Sequence, residues 1–413
     1  MKNKFMSDSI FMVISAGIAQ LIMIASFPVI SRLYSPSEFG VFTIFNNLAL
    51  ILIPIINARY DLLIINAKND KQANILSQIS LMISLAIILL ILPISLVCMF
   101  IFSNYSVHIL SLIVMLFLVS LTNIFTSYLN REKKYNILSF INILRSFLMT
   151  FLQIILGIFQ FGSIGLMIGY AFSYIAGITL GYSIFKKHFT FISNKNKIIY
   201  IFRRYKNQLY FSTPSMLINS LSITLVVFLI GILYTNHEVG IYGMAYKILS
   251  IPVSVISLGL SKIFMQKAHY NYSNYGTFKE LLIKFTLTLA ILGLVVYLPI
   301  LFINKTIVTT ILGNQWNEIM NIMYFLIPVC FFRLVVSTIS LVVIVFEKQK
   351  LEFLIQTSLL VMSILSFVIS FVFNLKFSEF VFINSLSLSL GYILFYLIIF
   401  YYSERKTHLE KSR

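Results

Sequence analysis

The chain has 413 residues, of which 59% are hydrophobic and 11% are charged, and its mean hydropathy is +0.94. These values exclude an ordinary soluble domain, which could not bury so much apolar surface. In a bilayer every backbone polar group must be satisfied within the spanning element, which leaves helices and closed β-barrels. The unbroken apolar runs exclude a barrel, because barrel strands alternate polar and apolar residues.

Twelve apolar runs approach the length of about 20 residues that a transmembrane helix needs. The first follows Lys2 and Lys4 closely, but it is too long for the apolar h-region of a signal peptide, lacks a small-residue cleavage site and leads directly into more spans, so we expect it to be retained. The predicted spans are residues 10–30, 41–64, 75–101, 109–130, 137–160, 163–184, 211–233, 240–264, 281–303, 319–346, 353–374 and 379–402. The sequence therefore predicts an all-α polytopic membrane protein.

The longest hydrophilic connection lies near the middle of the chain and separates six spans from six. It predicts an N-terminal lobe of residues 1–184, a basic cytoplasmic linker of residues 185–210 and a C-terminal lobe of residues 211–413. Seven Lys and Arg residues lie within residues 186–206 of this linker. We expect them on an amphipathic or interfacial helix rather than on a folded domain.

The distribution of Lys and Arg predicts the orientation. Of the 31 such residues, 25 lie on the side of the N-terminus, and only Arg32, Lys305 and Lys376 lie in the opposite loops. The positive-inside rule then places both termini in the cytoplasm, and we expect the chain in the inner (cytoplasmic) membrane of the cell. The net charge of +18 thus reflects topology and attraction to anionic lipid, and no nucleic-acid partner is expected.

Cysteine and histidine contribute no recognisable site. Cys98 and Cys330 both fall in predicted spans, and the five histidines are not at metal-ligand spacing. We therefore expect no disulfide framework, no metal site and no cofactor.

An internal repeat relates the two halves. Residues 33–42 (LYSPSEFGVF) match residues 233–242 (LYTNHEVGIY) at a constant offset of 200, each between the first and second span of its half. Six spans intervene, so the repeat is parallel, as in transporters that rock two lobes about a central site. Glu38 and Glu238 are expected to cap the following helix rather than to act in transport. Gly40 and Gly240 are expected to permit a close backbone approach or a positive φ.

Three cations lie inside predicted spans, where an ionised side chain costs several kcal/mol to bury. They are Arg145 in span five, Lys247 in span eight and Arg333 near the centre of span ten, and no Asp or Glu lies at such depth. A cationic interior suits an anionic ligand, and arginine matches phosphate oxygens with paired hydrogen bonds. Alternatively, these cations pair with helix-end carbonyls or polar side chains and hold helices together.

Other polar residues extend this candidate site. Arg59, at the inner end of span two, joins the three cations, although an interfacial or paired role is equally open. Span five carries polar residues at spacings of three or four around Arg145, and span seven keeps much of its polarity on one side, as a sugar-accepting passage would require. The secondary candidates are Asp61, Lys262, Arg32, Asn142, Gln153 and Asn219.

Five stretches carry a family resemblance. They are residues 31–40 (SRLYSPSEFG), 214–219 (PSMLIN), 238–242 (EVGIY), 245–252 (AYKILSIP) and 313–316 (GNQW). Together with the span count, they resemble the polysaccharide biosynthesis flippases, which are the O-antigen, capsule and teichoic-acid exporters of the MOP (multidrug/oligosaccharidyl-lipid/polysaccharide) superfamily.

This resemblance implies a fold, a substrate and partners. It implies two six-helix lobes, related by a parallel pseudo-twofold repeat, that work by alternating access. The implied substrate is an oligosaccharide linked to a polyprenyl diphosphate of the undecaprenyl type, moved from the cytoplasmic to the periplasmic leaflet. The cations would line a central cavity, and a glycan polymerase and glycosyltransferases are the implied partners.

Other functions stay open. A multidrug or cation antiporter of the same superfamily commonly uses a membrane-embedded carboxylate, which this sequence lacks at depth. Lipid II flippases are nearer relatives but usually carry additional spans. A membrane glycosyltransferase or polymerase would need larger outer loops than these, whose acids are isolated at Glu38, Glu238, Glu318 and Glu379. We expect a transporter rather than an enzyme.

Overall fold

The computed structural model describes residues 2–190, 194–345 and 349–404, and these contain helices but no strand. The helices are α1 (Lys2–Leu33), α2 (Pro36–Leu52), α3 (Tyr60–Ile65), α4 (Asp70–Ile101), α5 (Ser106–Arg131), α6 (Tyr135–Ile158), α7 (Gly162–Ser173), α8 (Ile175–His188), α9 (Lys195–Arg204), α10 (Thr213–Leu233), α11 (Asn236–Tyr275), α12 (Lys279–Leu301), α13 (Lys305–Leu312), α14 (Ile319–Ile339), α15 (Val342–Val345), α16 (Gln349–Val372) and α17 (Phe377–Glu404). Lys348 and the predicted cytoplasmic tail of residues 405–413 lie outside the described residues.

The helices confirm an all-α polytopic membrane protein. Eleven segments within the described residues are long and apolar enough to cross a membrane, and α2 is a shorter apolar helix of 17 residues. Several boundaries differ from the predicted ones: α11 continues to Tyr275, and span six is divided at Tyr174 into α7 and α8. The connection after span nine also folds locally, into α13 and a 3₁₀ turn over residues 314–316.

Span two is the largest departure from prediction, because it is not one continuous helix. Helix α2 ends at Leu52, and regular helix resumes only at Tyr60. Pro54 lies two residues after the end of α2 and has no N–H to continue the helical ladder. At the end of the break, Ala58 and Arg59 adopt left-handed backbone conformations, with φ of 44° and 60°. These conformations are unfavourable for residues other than glycine and need support from their surroundings.

A buried amide group supplies part of that support. The Asn57 side chain donates to the hydroxyl of Ser80 on α4 over 3.0 Å and to that of Ser120 on α5 over 2.8 Å. Its oxygen accepts a hydrogen bond of 3.2 Å from Asn123. Asn57, Ser80 and Ser120 are all buried. Non-helical backbone at membrane depth requires such protein surroundings, so these bonds hold the broken span against its neighbours.

The structure divides into two compact units. The first comprises Met1–Val227 and the second Phe228–Arg413. The linker and the first part of α10 thus group with the N-terminal unit. The predicted lobe boundaries at residues 184 and 210 stay a prediction.

Both copies of the repeated motif form the same cap. Glu38 accepts a hydrogen bond from the Ser35 backbone N–H over 2.8 Å, and Ser35 accepts one from the Glu38 backbone over 3.3 Å. Thr235 and Glu238 form the second capping box. These contacts confirm the capping role and satisfy backbone donors at the starts of α2 and α11.

The tyrosine that precedes each cap also has equivalent partners. The Tyr34 hydroxyl donates to the Gln153 carbonyl over 2.6 Å, and the Tyr234 hydroxyl donates to the Leu375 carbonyl over 2.9 Å. Each acceptor lies on or directly after the fifth span of its own half, as a parallel repeat requires. Gly40 and Gly240 lie within α2 and α11 and have no positive φ, so that part of the expectation is wrong.

Candidate functional site

In the N-terminal unit, Arg145 lies over an aromatic ring. It is half-buried on α6, and its Cζ is 3.7 Å from the centroid of the Tyr174 ring. Tyr174 is buried at the junction of α7 and α8, where its carbonyl accepts a hydrogen bond of 3.0 Å from Thr122 on α5. That bond holds the backbone of Tyr174, and burial of its side chain restricts the ring on which the cation rests. Such a contact contributes about 0.5–2 kcal/mol, depending on how far the guanidinium is desolvated.

In the second unit, Arg333 occupies a comparable setting. It is half-buried on α14, and its Cζ is 5.6 Å from the centroid of the Tyr246 ring on α11. The Tyr246 ring stacks on that of Tyr242, with centroids 5.8 Å apart and planes inclined by 8°. Tyr242 and Tyr392 lie within electrostatic range of the guanidinium. Among the described residues, phenol groups rather than carboxylates therefore surround Arg333.

Lys247 follows Tyr246 directly and is half-buried on α11. Helices α11 and α14 pack against each other, so Lys247 and Arg333 lie on neighbouring elements of one unit. The two helices are joined through Ser257, whose hydroxyl is 3.0 Å from that of Ser337 and 2.9 Å from that of Thr338.

Neither arginine is neutralised by a carboxylate in the parts of the chain that the structure describes. Ion pairs such as Arg131–Asp70 and Lys279–Glu404 involve other residues, which lie at helix ends. A tyrosine ring engages the face of a guanidinium and leaves the N–H groups at its edge able to donate. Both arginines can thus bind an anion without first breaking an ion pair.

Three of the secondary candidates are uncharged polar residues, and they differ in their surroundings. Gln153 is buried and donates to the Leu166 carbonyl over 3.0 Å, so its amide joins α6 to α7. Such bonds commonly hold membrane helices together, and we leave Gln153 out of the proposed binding set. Asn219 is half-buried, and its backbone carbonyl accepts a hydrogen bond from the Ser222 hydroxyl. Asn142 is exposed on α6, three residues before Arg145.

The charged candidates differ in exposure, and Lys262 lies within α11 rather than at a helix end. Arg59 is half-buried at the start of α3, and Asp61 is buried in its first turn, within electrostatic range of Arg59. This arrangement places the pair at the break in span two. Arg32 and Lys262 are exposed.

The arginine-binding tyrosines were not among the predicted site residues. Tyr170 and Tyr174, like Tyr242 and Tyr246, are four residues apart and so lie on one helical face. This repeated spacing could have identified these tyrosines as candidates from the sequence. It did not show which arginine each pair would meet, because that depends on helix packing.

Comparisons with known proteins identify the family. The family model described as "Polysaccharide biosynthesis protein" matches residues 29–321. The chain belongs to this family. The match includes Arg145 and Lys247, and Arg333 lies just beyond it. No curated protein matches the sequence significantly.

The fold of this chain is shared with solved structures of transporters. The lipid II flippase MurJ in its inward closed conformation superposes with a TM-score of 0.71 at 15% identity, covering 95% of this chain and 87% of that one. An inward-facing multidrug resistance MATE family transporter of the MOP superfamily gives 0.66 at 14% identity, with 93% of each chain covered. An outward-facing MATE transporter gives 0.60 at 15% identity, covering 98% and 97%. At these identities the likeness establishes the fold alone.

Proposed function

We propose that this protein is a flippase that moves a polyprenyl-diphosphate-linked oligosaccharide from the cytoplasmic to the periplasmic leaflet of the bacterial inner membrane. The observation that carries the proposal is that each unit holds a mid-helix arginine over a tyrosine ring. Membership of a polysaccharide biosynthesis family and a fold shared with transporters support it.

Each part of the substrate has a chemical counterpart. A phosphate group matches the paired N–H groups that each arginine offers, Arg145 in the first unit and Arg333 in the second, and Lys247 adds a point charge in the second unit. The tyrosine hydroxyls and the amide of Asn142 offer hydrogen bonds to sugar. The prenyl chain stays in the hydrocarbon, because transferring it to water would cost about 0.8 kcal/mol per CH₂. Alternating exposure of the cations to the two leaflets then carries the headgroup across.

Translocation by the purified protein tests this function directly. Liposomes are prepared with the protein and a fluorescent undecaprenyl-diphosphate-linked sugar. An impermeant quencher removes the fluorescence of the outer leaflet at once, and the fluorescence of the inner leaflet should then fall faster than in protein-free liposomes. An excess of unlabelled diphosphate lipid should compete, whereas the same prenyl chain ending in an uncharged sugar should not. Equal rates with and without protein would refute the flippase, and transport of organic cations instead would indicate a drug exporter.

The orientation is a separate prediction, tested with two exposed asparagines. In a Cys98→Ser background, a cysteine replacing Asn196 on α9 should resist an impermeant thiol reagent in intact cells, because its loop is rich in cations. A cysteine replacing Asn317, in the predicted outer loop, should react readily. Disrupting the cells should make both react. The reverse pattern in intact cells would invert the proposed topology.

A further inference from the structure

Helix α9 has two faces with different partners. Its inner face, formed by Ile198, Ile201 and Phe202, packs on the apolar cluster around the break in span two. Its outer side presents Ile199 and Tyr200, which are 48% and 65% exposed. The exposed cations of this segment are Lys195, Lys197, Arg203, Arg204 and Lys206.

The inner face is attached firmly. The Tyr60 and Phe202 rings stack with centroids 5.9 Å apart and planes inclined by 8°, and the Tyr60 hydroxyl donates to the Phe202 carbonyl over 3.2 Å. Gln72 donates to the Tyr205 hydroxyl over 3.0 Å. These contacts set the rotation of α9 and leave its cations, Ile199 and Tyr200 exposed.

The charge of this segment has no local counterpart in the sequence. No Asp or Glu occurs between Glu132 and Glu238, although seven Lys and Arg residues lie within residues 186–206. The segment also lies shortly before α10. Tyr210 and Phe211, which lie between the segment and α10, are 64% and 70% exposed. Exposed aromatic residues next to a membrane span are typical of the headgroup layer.

We propose that the outer side of α9 is a binding surface for anionic phospholipid. Ile199 and Tyr200 enter the boundary between headgroups and acyl chains, and the surrounding cations contact the phosphates. An apolar strip flanked by Lys and Arg is the pattern of a helix that lies in the membrane interface. Because α9 stacks on Tyr60, directly after the left-handed pair Ala58 and Arg59, bound lipid also steadies the broken span. This role is independent of the transported substrate.

Fluorescence quenching by lipid measures this binding. A Cys98→Ser, Tyr200→Cys protein carrying an environment-sensitive fluorophore is placed in vesicles that contain phosphatidylcholine brominated near the headgroup. Quenching should be stronger when about a third of the lipid is phosphatidylglycerol than in phosphatidylcholine alone. Salt at 1 M should abolish the difference, because it screens the phosphates.

A matched pair of variants identifies the cations responsible. Lys197→Gln with Lys206→Gln should weaken the association about 25-fold, roughly fivefold for each cation near the surface. Lys305→Gln with Lys376→Gln removes the same charge from exposed positions elsewhere and should leave the quenching unchanged. Quenching that is insensitive to phosphatidylglycerol, as expected if α9 instead binds an acidic protein, would overturn the proposal. So would an equal loss in the control pair.

Discussion

Replacing Arg145 or Arg333 by alanine should reduce translocation of the diphosphate lipid at least tenfold without lowering the amount of inserted protein. Each arginine rests on a tyrosine ring and lacks a carboxylate partner among the described residues, so its removal leaves no buried charge behind. A charge-assisted hydrogen bond contributes about 1.5–3 kcal/mol, which corresponds to roughly a 10- to 150-fold effect. Surface glycan, normalised to protein level, measures the loss in cells.

Graded substitutions separate this role from a structural one. Lysine should restore translocation only in part, because it keeps the charge but not the planar pair of donors. Glutamine should not restore it, because it is uncharged. Lys376→Ala, which removes an exposed cation from a helix end, serves as the control and should behave like the native protein. If alanine instead lowers protein abundance and glutamine recovers it, these arginines hold helices together and the binding proposal fails.

Replacing Asn57 by alanine should destabilise the N-terminal unit by about 2–5 kcal/mol, because three hydrogen bonds between membrane helices are lost together. The Asn57 amide uses both donors and its acceptor on Ser80, Ser120 and Asn123. Without it, the left-handed conformations of Ala58 and Arg59 lose support from α4 and α5. The melting temperature in detergent, followed by size-exclusion chromatography, should fall by several degrees.

Asn317→Ala is the matched control for that experiment. Asn317 is exposed in a turn, so its replacement should shift the melting temperature by no more than a degree or so. Equal melting temperatures for Asn57→Ala and the native protein would show that the break in span two is stabilised by other contacts.

The sequence by itself determined most of the architecture. Spans could be located because backbone polar groups in a bilayer must be satisfied within each helix, which makes long apolar runs unambiguous. The repeated caps were also readable, since Ser35 and Glu38 interact across three residues, as do Thr235 and Glu238. The three cations within predicted spans were visible because charge within an apolar run is costly.

Only the tertiary structure decided what those side chains meet. Arg145 lies on Tyr174 because α6 packs against the junction of α7 and α8, a contact between residues far apart in the chain. Gln153 had the same polar pattern as a cavity residue, yet packing places its amide between helices. In the sequence, span two is one apolar run. Only the structure shows that the span is broken and that the Asn57 side chain hydrogen-bonds to α4 and α5 at the break. Hydropathy records how apolar a segment is, whereas the neighbours of each face depend on how the helices pack.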